Sequence, residues 1–208
     1  MQEAINSQIP EAAIAEITQL LSHDELVVKI KRKRKTKHGD YRLLPDGKHQ
    51  ITVNESLNKY RFLITLVHEI AHFEAFKKFG RKIKPHGKEW KSTFQRLMLP
   101  FINPEIFPND VLPLLAKHFR NPKASSNSDE KLYLALKQFD PPSEKSFIFE
   151  VREGETFLAQ NNKKYKMGKK RVKRFECLEL ENNRLWLFNP NAEVDVIGDA
   201  QLSSKKVG

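Results

Sequence analysis

Apolar positions recur at helical spacing three times before residue 100. Ile14, Ile17, Leu20 and Leu21 mark a short amphipathic helix over 10–22, with Pro10 tolerated in its first turn. Leu63, Leu66, Val67, Ile70 and Phe73 form the stripe of a longer helix over 55–79. Asn54 is its expected N-cap, Gly80 its stop, and Lys77 and Lys78 complement its C-terminal dipole. Trp90, Phe94 and Leu97 predict a further helix that starts near Gly87 and closes at Pro100. Between the first two helices, 26–33, 40–44 and 50–53 read as strands joined by turns at His38-Gly39 and Pro45-Asp46-Gly47, so a small antiparallel sheet is expected there.

Four prolines make 100–113 irregular, and 111–118 reads as one more helical segment. Residues 120–130 are polar enough for an exposed connection, 132–139 is helical or irregular, and Pro141-Pro142 marks a change of composition. Beyond it the pattern is β, at 147–152, 156–160, 163–167, 172–180 and 184–188, with turn signals such as Glu153-Gly154 and Asn182-Asn183 between the runs. The expected organisation is α+β: a main domain over 1–120, a linker over 121–142, a small antiparallel β module over 143–199 and a disordered tail over 200–208.

A content of 39% hydrophobic and 30% charged residues excludes a disordered or membrane-embedded chain. No apolar run approaches the roughly 20 residues that span a bilayer, so a membrane is not an expected partner. Residues 1–16 are acidic and lack the features of a secretory signal, which predicts a cytoplasmic protein. Cys177 stands alone, ruling out an internal disulfide and any zinc ribbon built on paired cysteines. Any metal must therefore be held by histidines and carboxylates.

The net charge of +11 is concentrated. Residues 26–48 hold nine Lys/Arg against two Asp, and residues 163–174 hold eight against no acid. Such clusters point to a polyanionic partner such as DNA, although solvated edge strands are the plainer explanation. The candidate contacts are Lys31, Arg32, Lys33, Arg34 and Lys35 in the first cluster and Lys169, Lys170, Arg171, Lys173 and Arg174 in the second. Tyr165 and Phe175 flank the second cluster and offer stacking surface for a base.

His68-Glu69-Ile70-Ala71-His72 is a His-Glu-x-x-His pattern inside the longest expected helix. Residues i and i+4 project from one face a turn apart, so both imidazoles can reach one ion. Glu69 lies about 100° further round, where it misses the metal and reaches a metal-bound water as a general base. The metzincin pattern would place Gly at 75 and His at 78, but the chain has Ala75 and Lys78. Glu74 and Glu89 remain open as third ligands. His86 is the better candidate, because the seven residues 80–86 span up to about 23–25 Å and can return from the helix end to the site.

Together, Leu66 to His72, Phe79-Gly80 and Pro85-His86-Gly87-Lys88-Glu89-Trp90 resemble the SprT-like metallopeptidase family, which is related to the eukaryotic Spartan protease. The resemblance covers about residues 10–120. It implies a zincin-like domain in which His68, His72 and His86 bind zinc (Zn2+) and Glu69 activates water for hydrolysis of a protein or peptide substrate. It also implies an association with DNA, since Spartan degrades proteins crosslinked to DNA. Many SprT-like proteins continue into a four-cysteine zinc ribbon, and here the β module takes that place.

Residues 50–53 are expected to line the cleft or to serve as sheet core, and Tyr41, Tyr60 and Lys88 are open candidates for oxyanion stabilisation. The rival function is a nucleic-acid-binding protein with a structural zinc closed by His49, Glu74 or Glu89 as fourth ligand.

Overall fold

The structure, a computed structural model, describes residues 2–32, 37–123, 129–141 and 145–197. It divides into two compact units, residues 1–140 and 141–208. The first opens with α1 (Gln2–Asn6), which buries Ile5 and which the apolar spacing does not announce. A 3-10 turn over Glu11–Ala13 leads into α2 (Ile14–Leu20), so the helix expected from residue 10 begins as the tighter form after Pro10.

Three strands follow: β1 (Leu26–Lys31), β2 (Gly39–Leu43) and β3 (His49–Asn54). Their order is β1-β3-β2, with β3 antiparallel to β2 but parallel to β1. The expected antiparallel sheet is therefore mixed. The physical reason is burial: five of the six residues of β3 are buried, whereas β1 and β2 are largely half-exposed, so β3 takes the centre and the short β2–β3 hairpin swings it between the other two.

The central helix α3 (Lys59–Phe79) packs on β2 and β3 and is buried on most of its circumference, as expected of a helix at the heart of a domain. Its cap is Asn58, not Asn54: the Asn58 carboxamide oxygen accepts from the N–H groups of Tyr60 and Arg61. Asn54 instead ends β3, with its N–H and its side-chain amide donating to the carbonyls of His38 and Lys37. The C-terminus stops at Gly80, whose φ of 74° lies in the left-handed region.

Next come α4 (Lys88–Met98), which ends ahead of Pro100 as expected, a 3-10 turn over Leu99–Phe101 with Pro100 in its middle, α5 (Leu112–Phe119) and α6 (Glu130–Lys137). Leu132 and Leu136 of α6 sit in the same core as Leu63, Val67 and Trp90. Residues expected as linker thus complete the first unit. The Asn58 amide donates to the Leu136 carbonyl and to Asp140, and Arg61 pairs with Asp140 at 3.0 Å, fixing the unit's last residues to the start of α3.

The second unit is a six-stranded antiparallel sheet: β4 (Ser146–Phe147), β5 (Thr156–Leu158), β6 (Lys164–Lys170), β7 (Phe175–Glu179), β8 (Leu185–Phe188) and β9 (Glu193–Ile197), in the order β4-β9-β5-β6-β7-β8. Residues 148–150 form a 3-10 turn rather than continuing a strand, and β9, absent from the sequence expectation, joins β4 to β5. Phe157, Tyr165, Met167 and Cys177 form its own core. β6 is longer than expected and slips register between Met167 and Lys170; Gly168 allows this, since a Cβ there would fall 2.5 Å from the Glu176 carbonyl oxygen. Among the described residues no helix is long and apolar enough to cross a membrane.

Candidate metal centre

α3 delivers His68 and His72 from one face, and the connection from α3 to α4 brings His86 back to them. The three Nε2 atoms form a near-equilateral triangle: His68 to His72 3.2 Å, His68 to His86 3.2 Å, and His72 to His86 3.1 Å. Burial lowers the pKa of all three, His68 to about 2 and His72 to about 4, and the crowding of the rings adds to the shift in His68 and His72. The rings are therefore neutral. A neutral Nε2 is either a donor or an acceptor, so among three at least two share a role and one edge of the triangle is repulsive.

A cation at the centre resolves that conflict. Tetrahedral coordination with metal–nitrogen bonds of about 2.0–2.1 Å puts ligand nitrogens about 3.3–3.4 Å apart, close to the spacing found. The donor set thus fits a metal such as zinc. Among the described residues the donor group comprises His68, His72 and His86; Glu69, Glu74, Glu89 and His49 lie outside it. Glu74 instead faces His23 at 3.3 Å, and His49 Nδ1 faces the Tyr41 hydroxyl at 2.8 Å.

Local sequence explains how His86 reaches the site. Gly87 N–H donates to the Lys84 carbonyl at 2.9 Å, Pro85 occupies the second position of that turn, and His86 the third with φ 56°. This is the pattern of a type II turn, which favours Gly or Asn where His86 stands. A left-handed non-glycine residue costs about 1–2 kcal/mol, a strain held at the very residue that closes the triangle. Gly87 is needed because a Cβ would lie 2.9 Å from the Lys84 oxygen.

Trp90 is the shared support. Fully buried, it packs at ring-centroid distances of 4.6 Å from His68, 5.2 Å from His72 and 4.6 Å from His86. Helical spacing alone identified Trp90 as a packing residue; its contact with all three histidines needed the fold.

The triangle lies in a cleft of about 1100 Å³ whose walls include Gly39, Tyr41, Glu69, Trp90 and His118. Tyr41 is the one oxyanion candidate among these. Burial raises its phenol to about 12, and its ring stacks loosely on His72 at 6.1 Å. Tyr60 is buried against Phe107 and Phe139, and Lys88 is an exposed residue of a neighbouring hollow. β3 is not an edge: both its sides are paired, so 50–53 cannot accept a substrate strand. β2 borders the cleft as an outer strand. His118, which no sequence pattern singled out, also lines the cleft, with Nδ1 3.6 Å from Asp129.

Lys31 ends β1 and Arg32 follows it, both exposed; Lys33, Arg34 and Lys35 fall outside the described residues. Lys169 and Lys170 end β6, and Arg171, Lys173 and Arg174 occupy its hairpin to β7, all exposed. Arg171 pairs with Glu176 and Lys170 lies over Phe175.

Comparison with known proteins supplies the family. No curated protein and no solved structure was found to match. The model of the SprT-like family matches residues 8–107, which hold all three histidines, Glu69, Trp90 and the three-stranded sheet. Through this region the chain belongs to the SprT-like family.

Proposed function

We propose that this chain is a zinc-dependent peptidase with a zincin-like site, its ion held by His68, His72 and His86 and its general base Glu69. The observation that carries the reading is the triangle of neutral imidazole nitrogens, spaced for one ion and opening onto a cleft that an outer strand borders. A bound zinc ion supplies Lewis acidity to water and to the scissile carbonyl. Glu69, beside His68 but outside the donor group, takes the proton from the attacking water and returns it to the leaving amine. Tyr41, held protonated by burial, turns its hydroxyl from His49 Nδ1 to donate to the developing oxyanion. The free edge of β2, residues 39–43, takes an extended substrate as an added strand.

The substrate class we infer is protein associated with or crosslinked to DNA. Its support is the exposed cations Lys31, Arg32, Lys169, Lys173 and Arg174. A structural zinc is the weaker reading, since its suggested fourth ligands His49, Glu74 and Glu89 all stand outside the donor group. The test is proteolysis of a DNA-bound protein, with and without DNA, by wild type and Glu69→Gln. The variant is expected to keep one zinc per chain and to lose about 10²–10⁴ in rate. Zinc loss in Glu69→Gln would make Glu69 a ligand, and unchanged cleavage would end the peptidase reading.

A further inference from the structure

Gly39 opens β2, paired with Val53 of β3. The sequence suggests a turn glycine there, but the φ of Gly39 is not positive, so no left-handed backbone calls for glycine. Its lack of a side chain has another cause. A Cβ on Gly39 would fall 2.5 Å from Glu69 Oε1, 2.9 Å from Glu69 Cγ and 2.7 Å from Thr65 Cγ2. All three distances are shorter than the roughly 3.5–4.0 Å at which such atoms rest. The space a side chain would need is occupied by the carboxylate arm of Glu69 and by Thr65, one turn earlier on α3.

We propose that Gly39 is a positioning residue for Glu69: the bare backbone of β2 forms the wall against which the base is seated in the cleft. This rests on the reading of Glu69 as the general base. The two obstacles differ in stiffness. Thr65 is β-branched and holds few rotamers, whereas the Glu69 carboxylate ends a flexible arm. A methyl group at position 39 is therefore accommodated in two ways: the carboxylate swings away, by roughly 1 Å if normal contact is restored, and the contact with the stiffer Thr65 is relieved at a modest cost in stability. The fold tolerates such a shift and catalysis does not, since a misplacement of about 1 Å can cost about 10²-fold in rate.

The experiment measures Gly39→Ala, Glu69→Gln and the double variant, with zinc content, melting temperature and steady-state cleavage of an unfolded protein. Gly39→Ala is expected to keep its zinc and to lower kcat by roughly 10- to 100-fold with KM within about threefold. Its melting temperature should fall by no more than about 5 °C. Added to Glu69→Gln it should cost nothing further, because the group it displaces is already inactive. A structure of metal-free Gly39→Ala should show the Glu69 carboxylate displaced.

Gly39→Ala/Thr65→Ser separates seating from crowding. Relief at Thr65 should restore the melting temperature and leave kcat low, and this pair also replaces Gly39→Ala should the single variant fold poorly. Recovery of kcat in the pair, an equal further loss in the Glu69→Gln background, or an unmoved carboxylate would overturn the proposal. An active Glu69→Gln would instead remove the peptidase reading on which it stands.

Discussion

The two units use burial in opposite ways. In the first, chemistry is inside: Glu69 is 6% exposed and the histidine triangle is packed on a fully buried tryptophan. In the second, side chains that would normally be buried are outside: Leu185 is 63%, Trp186 48% and Leu187 51% exposed on the outer strand β8, and the hairpin over 171–174 is exposed and mostly cationic. The first arrangement suits a reaction that needs desolvated, rigid groups. The second suits a surface that meets other molecules. The chain's two tryptophans, Trp90 and Trp186, stand one on each side of this contrast.

Four measurements test the contrast. The largest effect is expected at the metal. His86→Ala should weaken zinc binding by more than the 10–100-fold typical of a mere outer partner, while Glu89→Ala leaves it near wild type in a competitive chelator titration. Equal retention by both would take His86 out of the site.

Trp90→Ala should cost about 3–5 kcal/mol of stability and loosen the histidines, whereas Trp186→Ala should shift stability by roughly 0.5 kcal/mol or less. Chemical denaturation with each variant's remaining tryptophan as the fluorophore reads both values. Similar costs would dissolve the distinction.

Third, wild type should bind DNA with a log–log salt slope of roughly −3 to −5. Changing Lys169, Lys170, Arg171 and Lys173 to Glu should weaken binding about 10²-fold at low salt without slowing cleavage of a free unfolded peptide. Undetectable binding by wild type to single- and double-stranded DNA would remove DNA from the proposed function and leave the basic clusters as a charged surface.

The fourth measurement concerns acid. Burial, and then the charge of Arg61, lower His38 to about 4 in the folded protein, below the ordinary 6.5. The unfolded chain therefore binds this proton first. Stability is full above about pH 6.5 and falls as the pH drops towards 4, with a slope of up to about 1.4 kcal/mol per pH unit. His38→Gln should reduce the slope in urea midpoints of the metal-free protein between pH 7 and 4.5 by up to about 1.4 kcal/mol per pH unit, leaving the share of the other buried histidines. An unchanged slope would place the acid sensitivity elsewhere.

Local signals exposed the central chemistry. The i, i+4 histidines, the helix that carries them and the reach of His86 all follow from spacing, and the β character of the second unit follows from alternation and turn residues. Long-range choices were hidden. Nothing local distinguishes a β3 that pairs on both sides from one at an edge, so the sequence leaves 50–53 open as cleft wall or sheet core, and only the pairing makes it sheet core and β2 the outer strand. Asn54 and Asn58 are equally good caps by type; the sheet claimed one and the helix the other. Gly39 looked like turn punctuation because its reason, the arm of Glu69, comes 30 residues later in the chain. The short β9 went unread because its value lies in closing the sheet between β4 and β5.

The tie from Asn58 and Arg61 to Leu136 and Asp140 has a consequence for biosynthesis. The start of the helix that carries His68 and His72 acquires its last partners only after residue 140 has been made. Synthesis at about 5–20 residues per second adds the intervening stretch in roughly 3–14 s after His72. During that interval the nascent chain holds the motif without the packing that seats it. On the peptidase reading proposed above, a chain assembled on this schedule stays idle while its own unfolded polypeptide is the nearest extended strand within reach.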